Sequence, residues 1–320
     1  MPSTSTFIQV TGESKRVVTP PTTIQSALRT NCLTMVMFRV GDGEAIFLRR
    51  KKQVMLIDGG AENMAENAPL GKFLAHYLTE RSLKLKAFDA THPHIDHLNA
   101  ILPLLVEGGT SVLASRVNYY DNGEAYKNSL KDTLIPKIQS ISRINHIHVD
   151  QQGTTMTLGS GVHCTLFTGS STSHGTNYKS VFMSVTFGLA KFLFTGDVYA
   201  DYERKLIKPD APHFSDLPAD ILKITHHGSD GGTCKEFVDV VKPKIAVASS
   251  TDDPSHRVEQ SVRNNLGTCK IFDTATSKGD IVIWTDGLSH QVDGKEGVIY
   301  EVEEISPGLF ESWLALQNHQ

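Results

Sequence analysis

The sequence predicts an α/β protein that folds as one domain. Apolar segments of strand length follow one another along the chain, and some are separated by segments with helical spacing. The apolar residues Leu70, Phe73, Leu74, Tyr77 and Leu78 have this helical spacing and lie between two such segments, which predicts a strand–helix–strand unit. The 320 residues are enough for one large two-layer domain or two small ones. The chain has no internal repeat, low-complexity tract or clear linker, which favours a single domain.

Composition and charge are those of an ordinary globular protein. Hydrophobic residues make up 39% of the chain and charged residues 21%. The net charge of −4 and the pI near 6.4 give no global attraction to nucleic acid or to an anionic membrane, so a polyanion would need a local patch. The four cysteines form no C-x-x-C pair, which is typical of reduced thiols in a cytosolic protein.

Neither export nor membrane insertion is predicted from the sequence. Residues 1–13 are polar and lack an apolar signal core. No run of the chain approaches the ~18 apolar residues that a membrane helix needs. We therefore expect a soluble, cytoplasmic protein.

For the first part of the chain, the sequence predicts an arm followed by a group of strands. Residues 1–30 are rich in Ser, Thr and Pro and predict an extended, partly disordered arm, in which Phe7–Val10 is a candidate edge strand. The basic run Arg49–Lys52 is either a phosphate-binding patch or the solvated tip of a hairpin, and its place between two apolar strands favours the hairpin tip. The strands predicted here are residues 33–40, 45–48 and 54–57.

Strands predominate in the remaining elements. We expect the main domain to cover residues 31–300 and a tail with a short helix near 310–316 to cover residues 301–320. Helices are predicted over residues 70–81 and 126–142, and from Arg257 to Leu266. The other predicted strands are residues 85–90, 111–117, 147–149, 162–167, 181–187, 191–194, 219–225, 244–248, 270–272 and 280–284.

A histidine-rich loop, Thr91–His97, lies between a predicted strand and a buried helix. In an extended segment residues i and i+2 face the same way, so His92 and His94 can both face one ion. The chain then turns, and Asp96 and His97 can face a second ion. Imidazole and carboxylate groups suit zinc, iron and manganese, whereas burying them without an ion would be costly. This loop therefore predicts a metal site.

Further candidate ligands lie at the ends of later strands. Asp197 ends the strand that leads into Thr195-Gly196-Asp197, where its carboxylate can bridge two cations, although Gly-Asp also forms ordinary turns. His226 ends another strand and can complete the coordination of the second ion with Asp96 and His97. By contrast, His146 and His148 are expected to be structural or surface residues.

The motif His-x-His-x-Asp-His resembles the signature of the metallo-β-lactamase fold. This resemblance implies a four-layer αββα sandwich of two mixed β-sheets, and it extends over about residues 33–290. One branch of the superfamily is especially similar, namely the branch that includes the metallo-β-lactamase domain of the bacterial competence DNA-uptake protein ComEC. The segments that resemble this branch are 40–46, 56–60, 177–180, 222–229, 254–256 and 279–287.

The resemblance implies two divalent metal ions, Zn²⁺ or alternatively Mn²⁺, that share a bridging hydroxide. It also makes His174 a candidate third ligand of the first ion, because ribonucleases of the same fold have a ligand at a comparable offset before the bridging aspartate. An ordinary loop histidine is the alternative. The chain departs from the competence proteins in two respects, since it has no membrane segments and it carries His174.

Several residues near these ligands are candidates for catalysis and substrate binding. Asp96 is expected both to ligate an ion and to orient the hydroxide. His227, Ser229 and His256 are expected to hold the anionic part of the substrate or to protonate the leaving group. Alternatively, His227 only orients His226. The remaining candidates, Asn177 and Lys179, are either phosphate contacts or surface residues.

The predicted function is that of a dinuclear metal-dependent hydrolase. We expect a phosphodiesterase or nuclease that acts on nucleic acid or nucleotides, with an anionic substrate as its partner. The alternatives are a hydrolase of a lactone, ester, thioester or β-lactam, and a non-enzymatic partner-binding module with structural metals. Redox chemistry is disfavoured, because di-iron oxygen reductases of this fold carry glutamate at the position of His94. No oligomeric state is predicted.

Overall fold

The computed structural model describes residues 3–61, 64–126, 130–169, 175–253 and 256–317. Its strands are β1 Ser3–Thr11, β2 Ser14–Val18, β3 Leu33–Met37, β4 Ile46–Arg50, β5 Gln53–Ile57, β6 Lys84–Asp89, β7 Leu113–Asp121, β8 Ile144–His148, β9 Thr154–Thr157, β10 Val162–Phe167, β11 Phe182–Phe187, β12 Ala190–Phe194, β13 Ile221–Lys223, β14 Ile245–Ala248, β15 Lys270–Asp273, β16 Asp280–Thr285, β17 Ser289–Val292 and β18 Lys295–Ile305. Its α-helices are α1 Thr22–Thr30, α2 Met64–Glu80, α3 Ile95–Leu98, α4 Ile101–Glu107, α5 Ile135–Ser140, α6 Ala200–Leu206, α7 Lys235–Val241, α8 Gln260–Leu266, α9 Thr274–Ser277 and α10 Leu309–Gln317.

These strands form two mixed sheets. The larger sheet has the order β2-β1-β18-β16-β3-β4-β5-β6-β7-β8, with β17 paired to β18. Within it, β5 to β8 run parallel, and the other pairs are antiparallel. The second sheet has the order β15-β14-β13-β12-β11-β10-β9, and β12 to β15 run parallel. In both sheets the parallel strands lead into the loops that carry the predicted site residues.

The core between the sheets follows from the alternation of side chains along each strand. In β4, Ile46 and Leu48 point into the space between the sheets, where they belong to the same buried cluster as Val185 and Phe192 of the second sheet. The intervening Phe47 points to the other face, where its ring contacts Tyr77 of α2 at a centroid distance of 5.6 Å. One strand therefore contributes to two separate cores.

Helices cover the outer face of each sheet. On the larger sheet, α2 and α4 bury Leu74 and Leu104 against it. On the second sheet, α6 and α7 bury Tyr202 and Phe237 against Phe182 of β11. The layers are helix, sheet, sheet and helix, which confirms the predicted αββα sandwich of two mixed sheets.

Both ends of the chain take part in the larger sheet. Residues 3–10 of β1 pair antiparallel with residues 298–305 of β18, and β2 then forms the edge of the sheet. The predicted edge strand Phe7–Val10 lies within β1, one strand in from that edge, and α1 follows the hairpin. The structure therefore has a hairpin and a helix where the sequence predicted an extended arm. The division of the chain at residues 30 and 300 stays a prediction.

Two further expectations can be compared with the elements. The helix predicted over residues 126–142 is shorter, since a π-helical turn, Leu130–Leu134, leads into α5, while residues 127–129 lie outside the described ranges. The short helix predicted near residues 310–316 corresponds to α10. Among the described residues, none of the helices has the length and apolar character required to cross a bilayer.

Candidate metal centre

The loops that follow β5, β6, β12 and β13 meet at one edge of the sandwich. The Gly59 amide donates to the carbonyl of His97 at 2.5 Å, which joins the loop after β5 to the loop after β6. The His226 amide donates to the carbonyl of Gly196 at 3.1 Å, which joins the loops after β13 and β12. Each of these bonds joins neighbouring loops of one sheet, and the two pairs of loops meet where Asp197 Oδ2 lies 3.1 Å from His97 Nε2, a residue 100 positions away in the sequence.

Three histidines of the loop after β6 lie close together. The distance between His92 Nε2 and His94 Nδ1 is 3.0 Å, and the ring centroids of His92 and His97 are 4.2 Å apart. His92 and His97 are fully buried, and α3 begins directly after His94. The extended segment followed by a helical turn brings the three rings together. His92, however, forms a possible metal-binding group with His97 and Asp197, whereas the i, i+2 spacing predicted His94 as its partner, and the assignment of each histidine to an ion stays a prediction.

The Asp197 carboxylate lies at the centre of the cluster. Its Oδ2 atom is 3.1 Å from His97 Nε2, 3.2 Å from His227 Nε2 and 4.0 Å from His92 Nε2. The Asp96 Oδ2 atom is 3.6 Å from His97 Nε2. The carboxylates of Asp96 and Asp197, from the loops after β6 and β12, therefore lie beside imidazole nitrogens from the loops after β6 and β13.

This donor set fits divalent metal ions. Ligands about 2.1 Å from a tetrahedral ion are separated by about 3.4 Å, and the distances between donor atoms here lie around that value. His97 Nε2 and His227 Nε2 are buried and make no hydrogen bond within the described part of the chain, although both lie near Asp197 Oδ2. Buried polar nitrogens without a partner are costly, and coordination of a cation would satisfy both. Imidazole and carboxylate ligands suit Zn²⁺, Fe²⁺ and Mn²⁺.

Asp58, which follows β5, sets the orientation of two imidazole rings. Its carboxylate accepts a hydrogen bond from His97 Nδ1 at 2.7 Å and another from the Thr91 hydroxyl at 2.8 Å. Because its own hydrogen goes to Asp58, Thr91 Oγ1 can accept from His92 Nδ1, 3.0 Å away. In the neutral form that binds a metal, both rings then carry their proton on Nδ1, so the lone pairs on Nε2 face the site.

A buried ion pair lies beneath Asp197. The Lys223 side chain is fully buried, and its Nζ atom is 2.8 Å from Glu44 Oε2 and 3.4 Å from Asp197 Oδ1. The same ammonium group donates to the carbonyl of Gly196 at 3.1 Å. Lys223 therefore holds one oxygen of Asp197 and leaves the other facing the histidines.

The charges around the site shift the pKa values of its groups. Burial, followed by the proximity of His97, holds the pKa of His92 well below its ordinary value. Burial also opposes the charged form of His97, but Asp197 and Asp58 raise its pKa well above the ordinary value. Burial opposes ionisation of Asp197 as well, yet His227, His97 and Lys223 keep its pKa well below the usual range. The site is therefore built to keep Asp197 ionised.

Two backbone features bring these groups close together. His226 and His227 have φ values of 50° and 56°, in the left-handed region that residues with a Cβ rarely adopt. Strain of this kind is concentrated at functional sites. At Gly60 a Cβ atom would collide with the carbonyl of Asp96, so a glycine is required where the loop after β5 packs on the histidine loop.

A cavity of about 380 Å³ opens above the cluster. Within it, His256 Nδ1 lies 3.0 Å from Asp42 Oδ2, and Asn177 Nδ2 lies 3.5 Å from the hydroxyl of Tyr199. Lys179 instead pairs with Glu124 and does not line the cavity. The predicted site residues that line the cavity are His94, Asp96, Asn177, Asp197, His226, His227, Ser229 and His256.

The placement of the two adjacent histidines differs from the expectation. His226 was predicted as the ligand, but it is the His227 Nε2 atom that lies near Asp197 Oδ2. The His226 ring contacts Tyr199, with a centroid distance of 5.1 Å, and its buried Nδ1 atom has no hydrogen-bond partner in the described ranges. His174 lies outside the described residues. The assignment of each residue as a ligand or a catalytic group stays a prediction.

Sequence reasoning missed the supporting residues Asp58, Thr91, Glu44 and Lys223. One signal in the sequence was Lys223, a charged residue within the apolar run Ile221–Ile224. A lysine at the end of a buried strand needs an anionic partner, and here the partners are Glu44 and Asp197. Asp58 lies in a segment that resembles the competence branch, but its contact with His97 spans 39 residues and depends on the tertiary fold.

Comparison with known proteins identifies the family. Residues 39–251 match the model of the metallo-beta-lactamase superfamily. The chain belongs to this superfamily. It is also 24% identical over 229 residues to ComE operon protein 3 of Bacillus subtilis (strain 168), a match that covers 67% of this chain and 28% of that protein. This similarity confirms the predicted resemblance to the competence branch, and the chain spans just over a quarter of the length of that relative.

Solved structures of the same fold are more distant in sequence. The metallo-beta-lactamase fold protein YhfI from Bacillus subtilis is 15% identical, and the match covers 75% of this chain and 95% of that chain with a TM-score of 0.47. Unliganded yeast PDE1 is 11% identical, with coverage of 75% and 97% and a TM-score of 0.48. PqqB from Methylobacterium extorquens, in its Zn²⁺-bound form, is also 11% identical, with coverage of 85% and 98% and a TM-score of 0.45.

Proposed function

We propose that this superfamily member is a metal-dependent phosphodiesterase that acts on nucleic acid or nucleotides. The observation that carries the proposal is the arrangement of His97 Nε2 and His227 Nε2, both buried, both within 3.2 Å of Asp197 Oδ2 and both without a hydrogen bond from the described residues. The Asp58 carboxylate fixes the tautomer that leaves one of these nitrogens able to bind a cation. The residues that would hold the ions are His92, His94, Asp96, His97, Asp197 and His227, with His226 beside them.

The charge of the cavity favours an anionic substrate only when cations are bound. Three carboxylates, those of Asp42, Asp96 and Asp197, line the cavity and would repel a phosphodiester. Two divalent cations carry four positive charges and would reverse this balance. Substrate affinity is therefore expected to depend on metal as strongly as turnover does.

The chain's own groups would then bind and orient the substrate. When bound, divalent cations lower the pKa of water and neutralise charge on a phosphoryl oxygen. The Asn177 amide and the Ser229 hydroxyl line the cavity and can donate to the non-bridging oxygens. The Asp42 carboxylate orients the ring of His256, which we assign the role of donating a proton to the leaving oxygen.

A second candidate is a hydrolase of carbon esters, lactones or thioesters. The observation that favours it is the composition of the cavity wall, since neither lysine nor arginine is among the described residues that line the cavity. Nucleic-acid-binding proteins usually carry such residues along the path of the phosphate backbone. The acidic pI near 6.4 points in the same direction.

The two candidates are separated by a substrate panel. The purified protein, loaded with Zn²⁺ or Mn²⁺, is assayed on bis-p-nitrophenyl phosphate, single-stranded DNA, a lactone and nitrocefin. We expect turnover of the phosphodiesters, loss of this activity in His97→Ala, and unchanged activity in His163→Ala, which removes an exposed histidine of β10. A metal-loaded protein that hydrolyses the lactone and no phosphodiester would overturn the proposal and support the second candidate.

A further inference from the structure

A second group of metal-binding side chains lies at the carboxyl ends of β7 and β8. Asp121 is the last residue of β7, and His146 and His148 belong to β8. The strands run parallel, with Tyr119 paired to His146 and Asp121 paired to His148. The two histidines are two residues apart on one strand, so both imidazoles and the carboxylate lie on the same face of the sheet.

The donor atoms of these three residues converge. Asp121 Oδ2 is 2.7 Å from His146 Nε2, and Asp121 Oδ1 is 2.5 Å from His148 Nδ1. The imidazole centroids are 4.6 Å apart. One ligand atom from each residue lies within 4.8 Å of the others. The two separations from the Asp121 oxygens are hydrogen-bond lengths, below the about 3.4 Å between ligands of a tetrahedral ion, so the rings must move slightly apart to admit an ion. Two imidazole nitrogens and a carboxylate oxygen then form a ligand set for a divalent transition-metal ion.

The carboxylate is also fixed by groups outside the donor set. The hydroxyl of Tyr126 donates to Asp121 Oδ2 at 2.7 Å, and the Gly123 amide donates to Asp121 Oδ1 at 3.0 Å. The Tyr126 hydroxyl is in turn 2.8 Å from that of Tyr119, whose side chain is fully buried. Ligating carboxylates in metalloproteins are commonly held by hydrogen bonds of this kind.

The exposure of the three side chains differs in a way that suits an open coordination sphere. The Asp121 side chain is 2% exposed, that of His146 20% and that of His148 65%. An ion held by these residues would be anchored on the buried carboxylate and would face solvent beside His148. Water can then complete the coordination, as in zinc sites with three protein ligands.

We propose that Asp121, His146 and His148 bind one divalent transition-metal ion, such as Zn²⁺, separately from the metal centre at Asp197. This inference goes beyond the proposed hydrolase activity, because none of the three residues lies in that centre or lines its cavity. It replaces the expectation that His146 and His148 are only structural or surface residues. The competing explanation is a hydrogen-bonded network in which protons alone join Asp121 to the two imidazoles.

The experiment counts bound ions. The 320-residue chain is stripped of metal and dialysed against a series of buffered free Zn²⁺ concentrations, and bound zinc per chain is measured by elemental analysis. The variants are His148→Ala, which removes a mostly exposed ring, and the double variant His146→Ala/His148→Ala. His163→Ala is the matched control, since it removes an exposed histidine from a strand of the other sheet.

We expect the double variant to bind one zinc ion fewer than the wild type and the His163→Ala control. His148→Ala is expected to bind that ion at least about tenfold more weakly, because one of three protein ligands is lost. Because the result is a difference between variants, it does not depend on how many ions the centre at Asp197 takes up. If the proposed hydrolase function were wrong, metal at the Asp197 centre or hydrolytic activity would instead be missing from the wild type and from all variants alike.

Equal zinc content and equal affinity in the wild type and His148→Ala would overturn the proposal and leave the hydrogen-bonded network as the explanation. The His148→Ala variant is decisive if the double variant does not fold. Visible absorption after Co²⁺ loading provides a second readout, since d–d bands that are present in the control and lost in His148→Ala report a ligand change directly.

Discussion

At the scale of single residues, the orientation of each imidazole determines whether its nitrogen can act as a ligand. His97 is fully buried, and its Nδ1 atom donates to Asp58. The Thr91 hydroxyl donates to the same carboxylate and can accept from His92 Nδ1, so Asp58 also orients the ring of His92. One acidic side chain thus determines the tautomers of two histidines on the neighbouring loop.

Replacement of Asp58 tests this coupling. In Asp58→Asn the amide has nearly the shape of the carboxylate but only one acceptor oxygen. Because Oδ2 of Asp58 accepts from His97 Nδ1 and the Thr91 hydroxyl while Oδ1 accepts from the Thr91 amide, the NH₂ group of asparagine must face one of these donors. We expect metal affinity to fall by about 10–100-fold, the range typical for loss of a hydrogen-bonded partner behind a metal ligand. Isothermal titration with Zn²⁺ measures the change.

A matched control is Asp286→Asn. This carboxylate is also largely buried and also accepts from a histidine, at 2.8 Å from His290 Nε2, but it does not line the cavity or join the metal-binding clusters. Metal affinity is expected to stay at the wild-type value in this variant. An equal loss in both variants would mean that the effect comes from general destabilisation.

The role proposed for His256 leads to a second prediction at this scale. A group that protonates the leaving oxygen matters most when that oxygen is a poor leaving group. His256→Ala is therefore expected to lower kcat by about 10²–10⁴-fold on an alkyl phosphodiester, and by much less on bis-p-nitrophenyl phosphate. Equal losses on both substrates would show that His256 binds the substrate without transferring a proton.

At the scale of elements, the sequence predicted the parts whose signals are local. The helical spacing in α2 follows from its packing on one face of the larger sheet, and the apolar residues of β6 are buried on both faces of that sheet, Ala87 in one core and Leu85 and Phe88 in the other. The histidine loop after β6, and Asp197 after β12, were recognised because ligands follow strands directly in sequence. β6 and the end of α2 were predicted to within one residue, whereas α2 begins at Met64, six residues before its predicted start.

The rest depends on contacts that are distant in sequence. β1 pairs with β18, about 290 residues away, and nothing in the Ser/Thr-rich start of the chain indicates that partner. The ion pair between Glu44 and Lys223 beneath Asp197 also joins residues that are far apart in the sequence, so local patterns do not indicate it. His226 and His227 are adjacent and chemically identical, so their roles are distinguished only by the left-handed turn that aims each ring.

That turn leads to a prediction about stability. His227→Ala and His227→Gly both remove the imidazole, but only glycine adopts a φ of 56° without steric strain. We expect the glycine variant to be more stable than the alanine variant by about 1 kcal/mol, since the left-handed conformation costs residues with a Cβ roughly 1–2 kcal/mol. Urea unfolding of the two metal-free variants measures the difference. A more stable alanine variant would contradict the assigned backbone strain.

At the scale of the whole molecule, the C-terminal segment is fastened to the larger sheet through one buried carboxyl group. Asp280, the first residue of β16, accepts hydrogen bonds from the Arg39 amide at 2.8 Å and from the Leu309 amide at 2.7 Å. Leu309 begins α10, whose Phe310 ring packs against Phe73 of α2 at a centroid distance of 5.4 Å. Asp280 therefore joins three parts of the chain.

Burial raises the pKa of Asp280 from 3.8 to about 7, despite the opposing effect of the two backbone donors. Between these two values the folded protein holds a proton that the unfolded chain has released. Unfolding therefore releases a proton, and the free energy of unfolding is expected to fall by about 1.4 kcal/mol per pH unit as the pH rises through this window. The stabilisation is fully present below the lower value and is lost above the higher one.

The comparison of wild type with Asp280→Asn isolates this contribution. The amide cannot ionise, so the difference in unfolding free energy between wild type and variant is expected to decrease as the pH rises from about 4 to about 7. Asp150→Asn is the control, because Asp150 is exposed and also accepts from two backbone amides, at 2.8 and 3.2 Å. Both amides donate to Oδ1 of Asp150, an acceptor that asparagine keeps, so its difference curve measures what the loss of an exposed carboxyl group does by itself. If the Asp280→Asn curve has the same pH dependence as the Asp150→Asn curve, the carboxyl group of Asp280 does not hold a proton in the folded protein at these pH values, and its two backbone donors outweigh its burial.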